Sequence, residues 1–185
     1  MKRGNVFIVA GISGSGKGTV CNKLIEEYPG FFIRPVSVTT RKPRPGDRFA
    51  DHYFFVNQEI FDWLVETNQL LEHTKVWGDD YYGSLTLSVE HALTAGRNVL
   101  FEVNNHGIDQ IRALIPETKV VYITAPSEVE QRLRLELRGT VGAEQDIRVG
   151  GAKKELALAK KQGLPIIVNS DLDETISEVK RIFGL

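Results

Sequence analysis

One cysteine, Cys21, in 185 residues leaves no partner for an internal disulfide and excludes the common four-cysteine zinc sites. Long apolar runs are missing as well. The N-terminal stretch MKRGNVFIVAG holds a five-residue apolar run before its glycine, too short for a signal-peptide core or a membrane span, so a cytosolic protein is expected. Neither sign of charge prevails: 23 Lys and Arg stand against 24 Asp and Glu, a net charge of −1. Global attraction to nucleic acid or to an anionic membrane is therefore not expected, and any basic site must be local. Internal repeats and low-complexity linkers are also lacking. A hydrophobic fraction of 42% and a charged fraction of 25% are ordinary for a soluble globular chain of one domain.

What is present alternates. Residues 5–10 (NVFIVA), 98–103 (NVLFEV), 119–124 (KVVYIT) and 164–169 (LPIIVN) read as short, fully buried strands. Helical patterns cover 19–28, 108–114, 127–138 and 171–182, the last opening on SDLDET with a cap residue and acids in its first turn. Strands alternating with helices imply an α/β fold, a central parallel sheet covered by helices on both faces. Residues 37 to about 82 and 138 to about 163 break that rhythm. They read as insertions over the carboxyl edge of the sheet, where open α/β sheets bind ligands. Trp63 and Trp77 read as packing residues.

GISGSGKGT, residues 11–19, follows the first strand directly and opens a helix. Gly11, Gly14, Gly16 and Gly18 let backbone N–H groups turn inward around a phosphate. Ser13 and Ser15 lie between them, Lys17 adds a point charge, and the helix N-terminus adds its dipole. Gly18 occupies the usual Ser/Thr position of such a loop and Thr19 comes next. A Mg²⁺ ion is therefore expected to be held mainly through water and nucleotide oxygens, with Thr19 as a candidate contact. The loop points to a nucleoside triphosphate without choosing among ATPase, GTPase and kinase. No Asn-Lys-x-Asp sequence of a signalling GTPase is found.

SVTTRKPRPGDR, residues 37–48, crowds Arg41, Lys42 and Arg44 onto a backbone stiffened by Pro43 and Pro45. Planar arginine forks suit a phosphate, and proline reduces the entropy lost in positioning them. Tyr53, Glu72, Tyr82 and Ser84 follow in DHYFF, LLEH and DDYYGS, so a second anion site that also reads a base edge is expected. With RLELRGT, KKELALA and VNSDLDE further on, the order and spacing of these stretches resemble the guanylate kinase family over nearly the whole chain.

The resemblance implies ATP-dependent phosphorylation of GMP, and of dGMP, to GDP in purine nucleotide metabolism, with Mg²⁺ and with the chain a monomer or homodimer. It implies one domain over 1–185: a core of 1–36, 85–137 and 164–185, an acceptor-binding segment of 37–84 and a lid of 138–163. Arg41, Arg44, Tyr53 and Tyr82 would bind the acceptor phosphate. Glu72 would accept from guanine N1–H and the 2-amino group, with Ser37 and Ser84 at O6. AMP would leave such buried groups unpaired, a mismatch able to discriminate by ~10⁴–10⁵. Lys17, Arg134, Arg138 and Arg148 would neutralise the ATP phosphates and the transferring group. Arg134 and Arg138 lie four apart on one helix face, whereas Arg132 points elsewhere. The attacking phosphate oxygen is already ionised, so no strong general base is needed.

Departures from the family pattern cluster in VLFEVNNHG. Glu102 keeps an acid that would orient water around the metal, but Asn104 stands where the family carries a second acid. Its carbonyl is expected to accept from the guanine amine without charge assistance, giving weaker GMP binding. His106 stands where the family has glutamine and reads as a helix-start residue; Asp47 replaces the usual glutamate. The lid reads VGA after RGT and is one residue short. Gly150 and Gly151 are expected to interrupt its helix, leaving it poorly ordered until ATP arrives. The competing expectations are a kinase for ribose 1,5-bisphosphate or a non-catalytic module that binds phosphopeptides.

Overall fold

The computed structural model describes residues 2–43, 47–50, 53–75 and 79–185. Strand β1 (Val6–Gly11) is buried at every position, because it lies at the centre of a parallel sheet with both faces covered. Helix α1 (Lys17–Glu27) follows the glycine loop, then β2 (Phe32–Ile33). Later come β7 (Asn98–Val103), β8 (Lys119–Thr124) and β9 (Ile166–Val168), giving the order β2-β7-β1-β8-β9. Alternate residues divide the core. Ile8, Ala10, Phe101 and Tyr122 pack toward α3 (Thr86–Thr94), α4 (Asn105–Leu114) and α6 (Ala143–Lys161). Phe7, Val9, Leu100 and Ile123 pack toward α1 and α7 (Leu172–Phe183).

Caps fix where the helices start. Ser127 accepts from the Glu130 amide at 3.1 Å ahead of α5 (Glu128–Glu136), and Asp171 accepts from that of Glu174 at 2.9 Å ahead of α7. Two expectations change here. The strand expected over 164–169 shortens to β9 and is not fully buried: it forms the sheet edge, with Val168 53% exposed. Gly150 and Gly151 do not interrupt the lid helix, since α6 runs unbroken through them with Val149 and Ala152 buried on either side. Tertiary packing outweighs a propensity penalty of about 1 kcal/mol per glycine.

A second, four-stranded sheet has the order β4-β3-β6-β5: β3 (Ser37–Thr39), β4 (Tyr53–Phe55), β5 (Leu70–Lys75) and β6 (Tyr81–Leu85). Helix α2 (Gln58–Glu66) buries Phe61 and Leu64 against it, beside Val38. Trp63 lies on the other face of α2 and is 56% exposed, so it is not the packing residue its size suggests. Arg44 and Trp77 lie outside the described residues. No helix among the described residues is long and apolar enough to cross a membrane.

Candidate active site

Between the two sheets opens a cavity of about 920 Å³. One wall is the glycine loop. Gly11, at φ 152°, leaves no room for a side chain: a Cβ there would lie 2.1 Å from the Ile123 carbonyl oxygen. Gly16 turns with φ 93° and packs against Asn169, whose Nδ2 a Cβ would meet at 2.4 Å. Side chains distant in sequence pin the loop from outside. Asn169 Nδ2 donates to the Ser15 carbonyl at 2.8 Å, and Gln131 Nε2 donates to that of Ser13, also at 2.8 Å. Arg134 donates to the Asn169 carbonyl at 2.9 Å and is paired with Glu130. The Ser13 and Ser15 carbonyls are thus held from outside, while the Ser15 amide donates to the Ile12 carbonyl at 3.2 Å within the loop. Lys17 lines the cavity at the start of α1.

The opposite wall is written across the small sheet. Register pairs Tyr53 with Ser37, Ser37 with Ser84, and Ser84 with Glu72, so one row crossing four strands carries four of the expected acceptor groups. Tyr82 and Thr74 pair two positions along β6 and therefore share that face. All six line the cavity. Glu72 is 4% exposed and accepts from Ser84 Oγ at 2.7 Å. Burial pushes its carboxyl up to about 7, against the opposing pull of the Ser84 hydroxyl. The Tyr53 phenol is also raised, by burial first and by Tyr82 next, which keeps it a donor.

Arg41 stands behind this wall. It is buried, paired with Asp47 at 2.9 Å, bonded to the Lys42 carbonyl at 2.8 Å, and lies over the Tyr53 ring at 5.2 Å. The shorter Asp47 thus holds the arginine in place.

The floor is the carboxyl end of β7. Glu102 and Asn104 both line the cavity, as strand alternation requires. Asn104, however, caps α4. Its Oδ1 accepts from the Gly107 amide at 3.1 Å and its Nδ2 donates to Thr74 Oγ1 at 3.1 Å. The carbonyl expected to face a guanine amine is already engaged at the helix start. His106 is the second residue of α4 and exposed. Glu102 meets the loop through Gly18, where a Cβ would approach both carboxylate oxygens to 3.3 Å.

The lid side contributes Arg138 and Arg148, both lining the cavity, with Arg148 Nη1 donating to Ser13 Oγ at 3.4 Å. Arg132 bonds Asp146 instead, at 2.7 Å. Arg134 and Thr19 do not join them in the cavity. They line a second depression of about 400 Å³ beyond the loop, with Gly16, Asn169 and Leu172, and Arg138 borders both spaces. Thr19 and Glu102 therefore do not converge on one point. Sequence reasoning passed over Asn169, Gln131 and Arg34. VNSD carries no local pattern that assigns Asn169 to the loop, Gln131 carries no signal, and Arg34 lies just ahead of the arginine-rich stretch.

Residues 3–184 match the family model described as guanylate kinase. Over 181 residues the chain is 38% identical to a guanylate kinase of Shewanella sp. (strain MR-7), covering 97% of this chain and 86% of that relative. It is 33% identical to one of Clostridioides difficile over 185 residues, 100% of this chain and 89% of the relative. The crystal structure of guanylate kinase from Anaplasma phagocytophilum superimposes with a TM-score of 0.76 at 28% identity, covering 99% of this chain and 86% of that one.

Proposed function

The chain belongs to the guanylate kinase family, and from that premise we propose how its residues divide the work of an enzyme that phosphorylates GMP at the expense of ATP. The observation that carries the reading is the row Tyr53, Ser37, Ser84 and Glu72 facing the Lys17 loop across one cavity. Glu72, ionised, accepts from guanine N1–H and the 2-amino group, while Ser37 and Ser84 serve O6. Tyr53 and Tyr82 donate to the acceptor phosphate, with Arg41 and Arg44 supporting them. Neither a ribose bisphosphate nor a phosphopeptide offers a base edge for the buried carboxylate to read.

ATP places its phosphates on Gly11, Ser13, Gly14, Ser15, Gly16, Lys17 and Gly18. Its adenosine lies along the second depression beside Thr19 and Arg134. Lys17, Arg138 and Arg148 neutralise charge as the terminal phosphoryl group passes to the acceptor, a reaction governed by alignment and electrostatics. Residues 37–84 act as the acceptor segment and 138–163 as the lid over a core of 1–36, 85–137 and 164–185.

The residues present fit a Mg²⁺ ion held largely by substrate. Among the described residues no group of three or more His, Cys, Asp or Glu forms a cage, and Gly18 leaves the Glu102 carboxylate open on its loop side. Glu102 would hold the ion through water; Thr19, on the far side of the loop, serves the nucleotide. When bound, the ion supplies charge neutralisation across the ATP phosphates. A cytosolic setting with free access to ATP suits the reading.

ADP release measured across GMP, dGMP, AMP, UMP and ribose 1,5-bisphosphate tests it. GMP and dGMP are expected to support turnover and AMP to fall by ~10⁴. Preference for the ribose phosphate would overturn it.

A further inference from the structure

We propose that Arg34 is a binding residue for the acceptor phosphate, set where the central sheet hands the chain to the small one. The inference rests on the acceptor reading above and adds a cation to it. Strand β2 ends at Ile33 and β3 begins at Ser37; within this strap Arg34 and Pro35 line the cavity. Glu72, Glu102 and Glu155 line the same cavity, so a phosphate bound there meets three carboxyl groups. Some cation must offset them.

The lining cations among the described residues are Lys17, Arg34, Lys75, Arg138 and Arg148. Lys17, Arg138 and Arg148 come from the loop and lid, on the donor side. Lys75 is paired with Asp79 at 2.9 Å and lies over the Tyr81 ring. Arg41 is engaged with Asp47 and the Lys42 carbonyl behind the wall.

Arg34 differs. Its nearest carboxylate oxygen, Glu102 Oε2, is 3.9 Å away, close enough to orient the guanidinium yet beyond hydrogen-bonding distance. The side chain is 39% exposed. A planar donor fork beside the floor carboxylate, with donors unspent on it, suits a phosphomonoester dianion.

Calorimetric titration without metal tests this, using GMP, guanosine and a non-hydrolysable ATP analogue as separate ligands. Arg34→Ala is expected to weaken GMP by on the order of 10- to 100-fold, the range for a hydrogen bond to a charged group. Guanosine and the ATP analogue should change by less than about twofold, and Arg34→Lys should restore part of the GMP affinity because the charge returns without the fork. Arg34→Gln repeats the test with side-chain bulk kept, should the alanine variant fold poorly. Unchanged GMP affinity, or an equal loss for GMP and guanosine, would overturn the assignment alone. Failure of the unaltered protein to bind GMP would overturn the acceptor reading itself, and this inference with it.

Discussion

The two anion-binding walls of this cavity are built on opposite plans. The glycine loop offers backbone N–H groups, and its supporting side chains, Asn169 and Gln131, reach it from elements more than a hundred residues away. The small sheet offers side chains, and its charges need partners when no substrate is bound: Glu72 has Ser84, and Arg41 has Asp47. A backbone cradle carries no ionisable group to strand, so it can be finished before ligand arrives. A side-chain reader of a base edge must bury a carboxylate, which is destabilising until its donors dock. Tight preorganisation thus falls to the donor site, and selectivity falls to the acceptor site.

The sharpest way to break the comparison is to remove the lysine at the end of the loop. Lys17→Ala should lower turnover by on the order of 10³-fold or more while leaving GMP binding to the isolated acceptor wall within about twofold. Pre-steady-state rates and GMP calorimetry check the split. If both fall together, the walls are not independent.

Glu72→Gln should weaken GMP by about 10²-fold, since an amide presents a donor where the guanine edge also donates. The same change should stabilise the ligand-free protein at alkaline pH. A carboxyl raised in the folded state binds its proton more tightly folded than unfolded. Its penalty is therefore absent below the ordinary carboxylate range, grows as pH rises from about 4.5 to about 7, and is full above that. The expected penalty, relieved in the variant, is on the order of 3 kcal/mol at pH 8, measured by denaturant unfolding at pH 4 and pH 8. GMP affinity of the unaltered protein should rise across the same pH window, because the ionised carboxylate is the form that accepts two donors.

Smaller effects separate the supports. Asn169→Ala releases the Ser15 carbonyl and should raise the KM for ATP by about tenfold with GMP unaffected. Asn104→Asp should lower the KM for GMP by a few-fold. Aspartate caps α4 as well as asparagine does, so thermal stability should hold while the floor regains a charge-assisted acceptor. An unchanged or raised KM would contradict the role given to that position.

How much of this was legible in the sequence follows the same division. The loop lies in consecutive residues after a buried strand, and its place at the head of α1 could be read directly. The acceptor groups were recognisable through the family resemblance, but their assembly into one row depends on register among four strands, which no local pattern specifies. Asn169, Gln131 and Arg34 act across long sequence separations and escaped notice. Asn104 lies on the expected wall, yet its cap hydrogen bond depends on where α4 begins, three residues beyond Glu102. The glycine pair in α6 misled for the reverse reason: local propensity argued for a break, and packing on either side of it prevailed.

The central claim is that two walls, one of backbone and one of side chains, hold two phosphates for transfer across a single cavity. A crystal structure with GMP and a non-hydrolysable ATP analogue measures it most directly. The account predicts guanine against Glu72 and Ser84, the triphosphate on the loop beside Lys17, and acceptor oxygen and terminal phosphorus about 3–3.5 Å apart. GMP bound elsewhere, with the row from Tyr53 to Glu72 left empty, would contradict it.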